Sequence, residues 1–298
     1  MYAITNNKKP VIFSDVDGTL YKNFDLKEET IKDVLFAVNN GTDFNICTGN
    51  PVQERMLDLA QKLKVKYLLC SSGGEIYDVE KSQVIKSWNI DFSILKELIK
   101  VANKMNLQVI FWDDKSYFYL KEIPELTKEV LIHHFISQDK LNLIPKLWNG
   151  EEINPIKIEL YSLDEPYSQT YPQKIYKQIK NLKDKIEIIP THCNVEINYL
   201  GVNKGTAIKW LVENVYNKEN VLLNEVMTIG DSNNDTPMLK LTNYSYAMAN
   251  ATKEPLSIAR FFTSDVSQNG LGEAILDYLY RLKNIARKHM LHEFLEGE

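Results

Sequence analysis

Short, largely apolar runs alternate with amphipathic stretches in the first part of the chain. Residues 11–14, 43–47 and 67–71 form runs that end at polar or glycine residues, which indicates buried strands. Apolar residues at helical spacing predict a helix over 26–39, and a second helix is predicted over 51–63 with Pro51 in its first turn. Strands that alternate with helices are typical of a parallel sheet covered on both faces.

The pattern changes after residue 74, where strand-like runs become denser. Strands are predicted at 75–77, 84–88, 108–112, 116–120, 156–161, 186–190 and 194–198, and helices at 93–105, 124–137 and 172–182. Such a mixture predicts a smaller α+β domain, an antiparallel sheet with helices on one face.

The alternating rhythm returns at Lys204. A helix is predicted over 204–215, a strand over 225–229, a helix over 235–240, strands over 244–248 and 261–263, and a helix from 271 onward. The sequence therefore predicts an α/β fold, with a doubly wound, Rossmann-like parallel-sheet core formed by residues 1–80 and 194–298. The smaller α+β domain, residues 81–193, is inserted into that core.

Composition narrows the classes of protein. The 298 residues, 44% hydrophobic and 25% charged, are typical of a soluble globular protein with two domains. A formal net charge of −5 without a basic face argues against nucleic acid as a partner, and no apolar run is long enough to span a membrane. Three cysteines without metal-ligand spacing fit reduced thiols. We expect a cytoplasmic monomer or homodimer.

Two acidic clusters directly follow predicted strands. Asp15 and Asp17 come after the first strand, and Asp231 and Asp235 come after the strand that ends at residue 229. In one parallel sheet both clusters would emerge at the carboxyl edge, where open α/β sheets bind ligands. Oxygen ligands without nearby His or Cys suit Mg2+. The alternative is that these acids are turn residues and helix N-caps.

Two further positions add the chemistry of an anion site. Thr48 and Gly49 end the second strand and offer a hydroxyl and backbone N–H groups. Lys204 opens a helix and could bring one positive charge to the same edge, although a lone lysine is more often on the surface. Acids for a metal, donors for an anion and a lysine are together what phosphoryl transfer requires.

In this order the clusters closely resemble the signature of the haloacid dehalogenase (HAD)-like hydrolases. The matching positions are Asp15-Val16-Asp17-Gly18-Thr19, Thr48, Lys204, and Gly230-Asp231 with Asn234-Asp235. The long insert between Ser71 and Lys204 resembles that of the Cof-like subfamily with a type II cap, and the architecture matches over the whole chain.

The resemblance implies a role for each matching residue. Asp15 would attack phosphorus and form an aspartyl-phosphate, and Asp17 would act as general acid and then general base. The implied metal ligands are the Asp15 and Asp231 carboxylates and the Asp17 carbonyl, completed or oriented by Asp235 and Asn234. Phosphoryl oxygens would be held by Thr48, the Gly49 amide and Lys204.

Two positions depart from the family pattern. Asn50 stands where arginine is common, and Ser71-Ser72-Gly73-Gly74 replaces the usual Asn-Gly pair.

Residues that could select the substrate are suggested by type alone, and core or surface roles are more common for them: Trp112, Asp113, Asp114, His133, His134, Trp148 and His192.

We therefore expect a Mg2+-dependent phosphatase acting on a small phosphorylated metabolite such as a sugar phosphate. One alternative is a glycosyltransferase that uses Asp15-Val16-Asp17 as its metal-binding Asp-x-Asp, although that motif usually follows a nucleotide-binding half. Another is a sensor that binds a phosphorylated ligand with slow turnover or none. Ligand affinity compared with turnover separates the sensor from the enzyme.

Overall fold

The computed structural model describes residues 8–122, 145–165, 168–191 and 193–283. The chain divides into two compact units. The first takes the described residues of Met1–Cys47, Ala60–Tyr67 and Lys204–Glu298, and the second takes those of Thr48–Leu59 and Leu68–Asn203. The domain boundaries expected from the sequence, with a cap over 81–193, remain predictions.

At both ends of the chain the described strands alternate with helices. Most of the strands that follow one another without a helix between them lie in the middle of the chain. The strands are β1 (Val11–Ser14), β2 (Asp43–Cys47), β3 (Tyr67–Cys70), β4 (Glu75–Asp78), β5 (Gln83–Ser87), β6 (Leu107–Trp112), β7 (Tyr117–Tyr119), β8 (Pro145–Leu147), β9 (Lys157–Ser162), β10 (Ile186–Pro190), β11 (Asn194–Tyr199), β12 (Met227–Gly230), β13 (Tyr244–Ala247) and β14 (Phe261–Phe262). The α-helices are α1 (Glu28–Asn39), α2 (Glu54–Leu63), α3 (Phe92–Lys104), α4 (Tyr171–Ile179), α5 (Lys204–Asn214), α6 (Thr236–Leu239), α7 (Lys253–Ile258) and α8 (Gly270–Lys283).

The first unit contains a parallel sheet in the order β14-β13-β12-β1-β2. Every residue of β1 and β12 is buried, as expected for strands covered on both faces. Helix α1 packs against α8, and α5 packs against α6. Ser14 pairs with Ile229, so the chain leaves β1 and β12 side by side at one edge of the sheet. The predicted parallel sheet is confirmed.

The second unit contains a six-stranded sheet in the order β10-β11-β9-β6-β7-β8. Its pairings are antiparallel except for the parallel pair β7–β8. Buried residues of α3 and α4, among them Leu95, Leu98 and Ile175, share one hydrophobic core with Val109 and Leu160 of the sheet. The predicted α+β arrangement with helices on one face is therefore confirmed.

One local prediction differs from the structure, and two short elements were not predicted. The helix expected from Pro51 begins only at Glu54, because the segment before it bonds elsewhere: Ser71 N donates to the Asn50 carbonyl and Val52 N to Glu75 Oε1. Strand β8 and helix α7 were not expected, since three and six residues are too short for a clear periodic signal. The helix predicted over 124–137 lies outside the described residues.

Within the described ranges, no helix combines the length and the apolar character needed to cross a membrane.

Candidate active site

Carboxylates from both acidic clusters meet at the edge where β1 and β12 end. Asp15 directly follows β1, and its N–H donates to the Ile229 carbonyl 3.0 Å away. One ligand oxygen each from Asp15, Asp231 and Asp235 lies within 4.8 Å of the others. The structure thus brings together three of the four acids predicted as metal ligands.

Lys204 begins α5 with its side chain buried among these acids. Its Nζ lies 2.6 Å from Asp15 Oδ1 and 2.6 Å from Asp235 Oδ1, and the residue is 1% exposed. The surface position that is more common for a lone lysine is therefore excluded. Lys204 thus places a cation in direct contact with two of these acids, Asp15 and Asp235.

Asp235 also shapes the backbone around Asp231. Its Oδ2 accepts from the N–H groups of Asp231, at 3.0 Å, and Ser232, at 2.9 Å. Ser232 and Asp235 form a capping box at the start of the 3-10 turn Asn233–Asp235, and Asn234 Oδ1 accepts from Ser232 Oγ at 2.7 Å. Asp235 is therefore the first-turn acid of a capping box whose N-cap is Ser232, and its other carboxylate oxygen contacts Lys204.

Two glycines leave room for the carboxylates. Gly18 has φ +89°, and a Cβ there would lie 2.3 Å from Asp231 Oδ2. A Cβ at Gly230 would lie 2.4 Å from Asp235 Cγ. Both positions therefore require glycine if the acids are to stay where they are.

Asp17 differs from Asp15 in its surroundings. Strand β1 ends at Ser14, so strand alternation does not extend to Asp17, whose side chain is exposed while Asp15 is 5% exposed. The negative charge of Asp17 nevertheless acts on Asp231, where it helps to raise the carboxyl pKa. Within the described chain the cluster of possible metal ligands does not include the Asp17 carboxylate.

Burial and mutual repulsion control protonation at the cluster. Burial, and then the charge of Asp235, raises the pKa of Asp15 well above its usual value, while Lys204 acts in the opposite direction. The same two causes raise the pKa of Asp231 to about 7. Burial lowers the pKa of Lys204, but Asp15 and Asp235 outweigh it and raise that pKa well above its usual value.

The donor set fits a hard divalent cation. Three carboxylates lie around the Lys204 ammonium group, so carboxylates outnumber cations in this cluster of the described residues. Asp231 Oδ1 is buried and has no hydrogen-bond partner among the described residues. An oxygen-binding cation would satisfy this atom and would reduce the repulsion that raises the carboxyl pKa values.

Thr48 and Gly49 belong to the second unit. Thr48 is buried, and its Oγ1 accepts from the Asn50 N–H at 3.2 Å and from Asn50 Nδ2 at 3.0 Å. The Gly49 carbonyl accepts from Lys157 Nζ at 3.1 Å. Asn50, one of the two departures from the family pattern, thus orients the Thr48 hydroxyl. The phosphoryl-binding role of Thr48 and Gly49 remains a prediction.

Two residues were missed by sequence reasoning. Asn250 Nδ2 donates to the Gly18 carbonyl at 2.8 Å and so supports the turn beside Asp231. An asparagine in a turn after a strand gives no distinctive signal. Lys157 is buried inside the second unit, although its strand alternates in a way that predicts one solvated face.

Three of the residues suggested by type for substrate selection have structural contacts in the second unit, and their role in selecting a substrate remains a prediction. Trp112 is fully buried, Trp148 packs against the α+β core, and Asp113 Oδ1 accepts from two backbone N–H groups of its own turn. His133, His134 and His192 lie outside the described residues.

Comparison with known proteins agrees with this geometry. The family model described as haloacid dehalogenase-like hydrolase matches residues 12–275. The chain is 25% identical over 275 residues to YxeH of Bacillus subtilis (strain 168), whose name describes it provisionally as a phosphatase; the match covers 89% of this chain and 96% of YxeH. It is 24% identical over 270 residues to YcsE of the same organism, named as a 5-amino-6-(5-phospho-D-ribitylamino)uracil phosphatase, with coverage of 89% and 94%.

Solved structures share the fold. A haloacid dehalogenase-like hydrolase from Bacteroides thetaiotaomicron superimposes with a TM-score of 0.76 at 20% identity, covering 91% of this chain and 99% of the other. The HAD subclass IIB sugar phosphatase BT4131 superimposes with a TM-score of 0.74 at 19% identity, covering 90% and 98%. The resemblance inferred from the motifs is confirmed: the chain belongs to the haloacid dehalogenase-like hydrolases and is a phosphoric monoester hydrolase.

Proposed function

We propose that this enzyme is a Mg2+-dependent phosphatase that hydrolyses a small phosphorylated metabolite through an aspartyl-phosphate on Asp15. The observation that carries the proposal is the buried cluster at the carboxyl edge of β1 and β12. Asp15 lies there with Asp231 and Asp235 and contacts Lys204 at 2.6 Å. A nucleophile, a set of oxygen ligands and a fixed positive charge are the parts that phosphoryl transfer to a carboxylate needs.

In the first step a carboxylate oxygen of Asp15 forms a bond to phosphorus as the bond from phosphorus to the alcohol oxygen breaks. Lys204 engages Oδ1, so Oδ2 is the candidate attacking atom. Asp17, which is exposed and close enough to influence Asp231, donates a proton to the leaving alcohol. In the second step Asp17 takes a proton from the water that hydrolyses the intermediate, and inorganic phosphate leaves.

The Asp15 and Asp231 carboxylates and the Asp17 carbonyl would hold Mg2+, with Asp235 and Asn234 completing or orienting that set. When bound, the cation neutralises charge on the carboxylates and on the phosphoryl group. Lys204, Thr48 and the Gly49 amide are the proposed ligands of phosphoryl oxygens.

A sugar or polyol phosphate is the substrate class we propose. YcsE is named for a substrate with a phosphoribityl group, and BT4131 is described as a sugar phosphatase. Both names describe a phosphate on a polyhydroxylated carbon chain. We also propose a cytoplasmic monomer or homodimer; the free thiols of Cys47, Cys70 and Cys193 fit a reducing compartment.

The test is phosphate release from a panel of phosphorylated metabolites, with Mg2+ and with EDTA. Wild type should release phosphate only with the metal, and Asp15→Asn should be inactive because the amide is not a nucleophile. Asp58→Asn, an exposed position on α2, is the matched control and should keep wild-type activity. Turnover by Asp15→Asn near the wild-type rate would refute the nucleophile. Tight binding of phosphorylated compounds by folded wild type, without release of phosphate, would favour the sensor.

A further inference from the structure

A buried lysine in the second unit has partners that its own sheet does not explain. Lys157, the first residue of β9, is 1% exposed, and its Nζ lies 3.0 Å from Glu159 Oε1 and 2.9 Å from Glu196 Oε2. The same Nζ donates to the Gly49 carbonyl at 3.1 Å and to Ser72 Oγ at 3.2 Å. Burial lowers the pKa of Lys157, but the two glutamates outweigh it and keep the ammonium charged.

The stability of the sheet does not by itself explain the buried cluster of Lys157, Glu159 and Glu196. Ile158 and Leu160 of β9 face the helices, so Lys157 and Glu159 lie on the opposite face. Glu159 pairs directly with Glu196 of β11, and like charges in such a position are destabilising unless a cation lies between them. Apolar residues of similar size would often stabilise a buried site as well or better.

The face is organised around two segments outside the sheet. Asn198, Lys157 and Trp112 form one cross-strand row, and each side chain donates to the segments that carry Gly49 and Ser71-Ser72. Asn198 Nδ2 donates to the Ser71 carbonyl at 2.7 Å, and Trp112 Nε1 donates to Ser71 Oγ at 2.9 Å.

The serine segment is held in an uncommon conformation by these contacts. Ser71 and Ser72 both have φ +56°, which non-glycine residues rarely adopt. Ser72 Oγ donates to Glu196 Oε2 at 2.9 Å while it accepts from Lys157. Backbone strain of this kind persists only where the surroundings determine it, and it is concentrated at functional sites.

The contacts fix both peptide units of Gly49. The Thr48 carbonyl accepts from the Ser72 N–H at 2.9 Å, and in a planar trans peptide this directs the Gly49 N–H to the opposite side. The next carbonyl, that of Gly49, is held by Lys157. The direction of the Gly49 amide therefore depends on Ser72 from one side and on Lys157 from the other.

We propose that Lys157 is a positioning residue that fixes the Thr48–Gly49 backbone for binding phosphoryl oxygens. The inference rests on the proposed function, because it takes the Gly49 amide as a phosphoryl ligand. It also gives a role to the Ser71-Ser72 pair that departs from the family pattern: its hydroxyls and carbonyl receive the donors of the sheet.

The first experiment measures hydrogen exchange of backbone amides in full-length wild type and Lys157→Met. Loss of the Lys157 hydrogen bonds to Gly49 and Ser72 should speed exchange about tenfold in peptides that cover 48–53 and 71–74. This is the change expected when one buried hydrogen bond is lost. Lys174→Met, an exposed lysine that pairs with Glu165 in the same unit, is the matched control and should not change exchange there. Unchanged exchange in Lys157→Met would overturn the inference, whether or not the enzyme is a phosphatase.

Lys157→Met leaves two glutamates without their cation, so the variant could fail to fold. Lys157→Met with Glu196→Gln removes one of these charges, while Glu159 keeps the Tyr161 hydroxyl as a donor at 2.5 Å. Circular dichroism decides which variant is used. The same increase in exchange is expected in the double variant, and wild-type exchange there would equally overturn the inference.

The second experiment measures inhibition by inorganic phosphate, the product, during phosphate release. The inhibition constant should rise about tenfold to a hundredfold in the Lys157 variant, because a small misplacement of a ligand has a large effect. The Mg2+ activation constant should not change, since Lys157 is not among the proposed metal ligands. Faster exchange with an unchanged inhibition constant would refute the positioning role. If wild type and Asp15→Asn both release no phosphate, the proposed function has failed. The exchange measurement then tests by itself whether Lys157 holds the Thr48–Gly49 backbone in place.

Discussion

Gly18 offers a clean way to disturb the proposed metal site without removing any of its charged groups. Gly18→Ala adds one methyl group at φ +89°, 2.3 Å from Asp231 Oδ2 and 2.7 Å from its Cγ. Such distances are too short, so a neighbour must move. The nearest atoms belong to the end of a flexible side chain, and Asp231 can therefore turn away at little cost to the fold.

The expected magnitudes separate backbone strain from displacement of the carboxylate. An alanine at positive φ costs about 1–2 kcal/mol of the free energy of unfolding. Gly41→Ala has the same strain, at φ +87°, but a Cβ there has no atom within 4 Å, so it is the matched control. Both variants should lose similar stability. Only Gly18→Ala should also weaken Mg2+ activation, by about 10–100-fold, the effect typical of disturbing the support of a metal ligand.

The assay combines urea unfolding, followed by circular dichroism, with phosphate release measured over a range of Mg2+ concentrations. Gly41→Ala should show the stability loss and the wild-type Mg2+ dependence. A Gly18→Ala enzyme with wild-type Mg2+ dependence would refute the assignment of Asp231 as a metal ligand held against Gly18. An equal change in Mg2+ dependence in both variants would show that strain alone is responsible.

Two further predictions concern buried charges. Lys204→Met should lower the free energy of unfolding by about 3–5 kcal/mol in urea titrations at pH 7, because two buried carboxylates lose their cation, whereas Lys209→Met on the same helix, 56% exposed, should change it by less than about 0.5 kcal/mol. Similar losses in the two variants would contradict the buried pairing. Burial raises the pKa of Glu75 from 4.5 to about 7, so Glu75 by itself should account for a loss of up to about 3 kcal/mol of stability as the pH rises through that range. Glu75→Gln cannot ionise and should lack this loss; parallel pH profiles for the two proteins would contradict the shift.

The convergence of the acids was predictable from the sequence. Two parallel strands that lie side by side bring the residues after them together, and Asp15 and Asp231 directly follow β1 and β12. The burial of Lys204 was not predictable from its own surroundings in the sequence. Its position depends on where α5 begins relative to the sheet, and that is set by packing over the whole first unit.

The polar face of the six-stranded sheet shows what the alternation of polar and apolar residues cannot predict. Strand β9 alternates polar and apolar residues, which normally predicts one solvated face. Here Lys157 and Glu159 are buried, because residues distant in sequence contact that face. Periodicity reports which residues share a face, but not what covers it.

Because the Asp235 carboxylate makes two different contacts, a mutational screen at this position would combine two effects. One oxygen contacts Lys204, and the other caps the turn that carries Asp231. Substitutions at Asp235 would therefore reduce cellular abundance and activity together, and low activity there could not be assigned to chemistry. Exposed Asp17 should behave differently, with normal abundance and lost activity. Comparing the two readouts position by position would separate residues that build the site from those that only react in it.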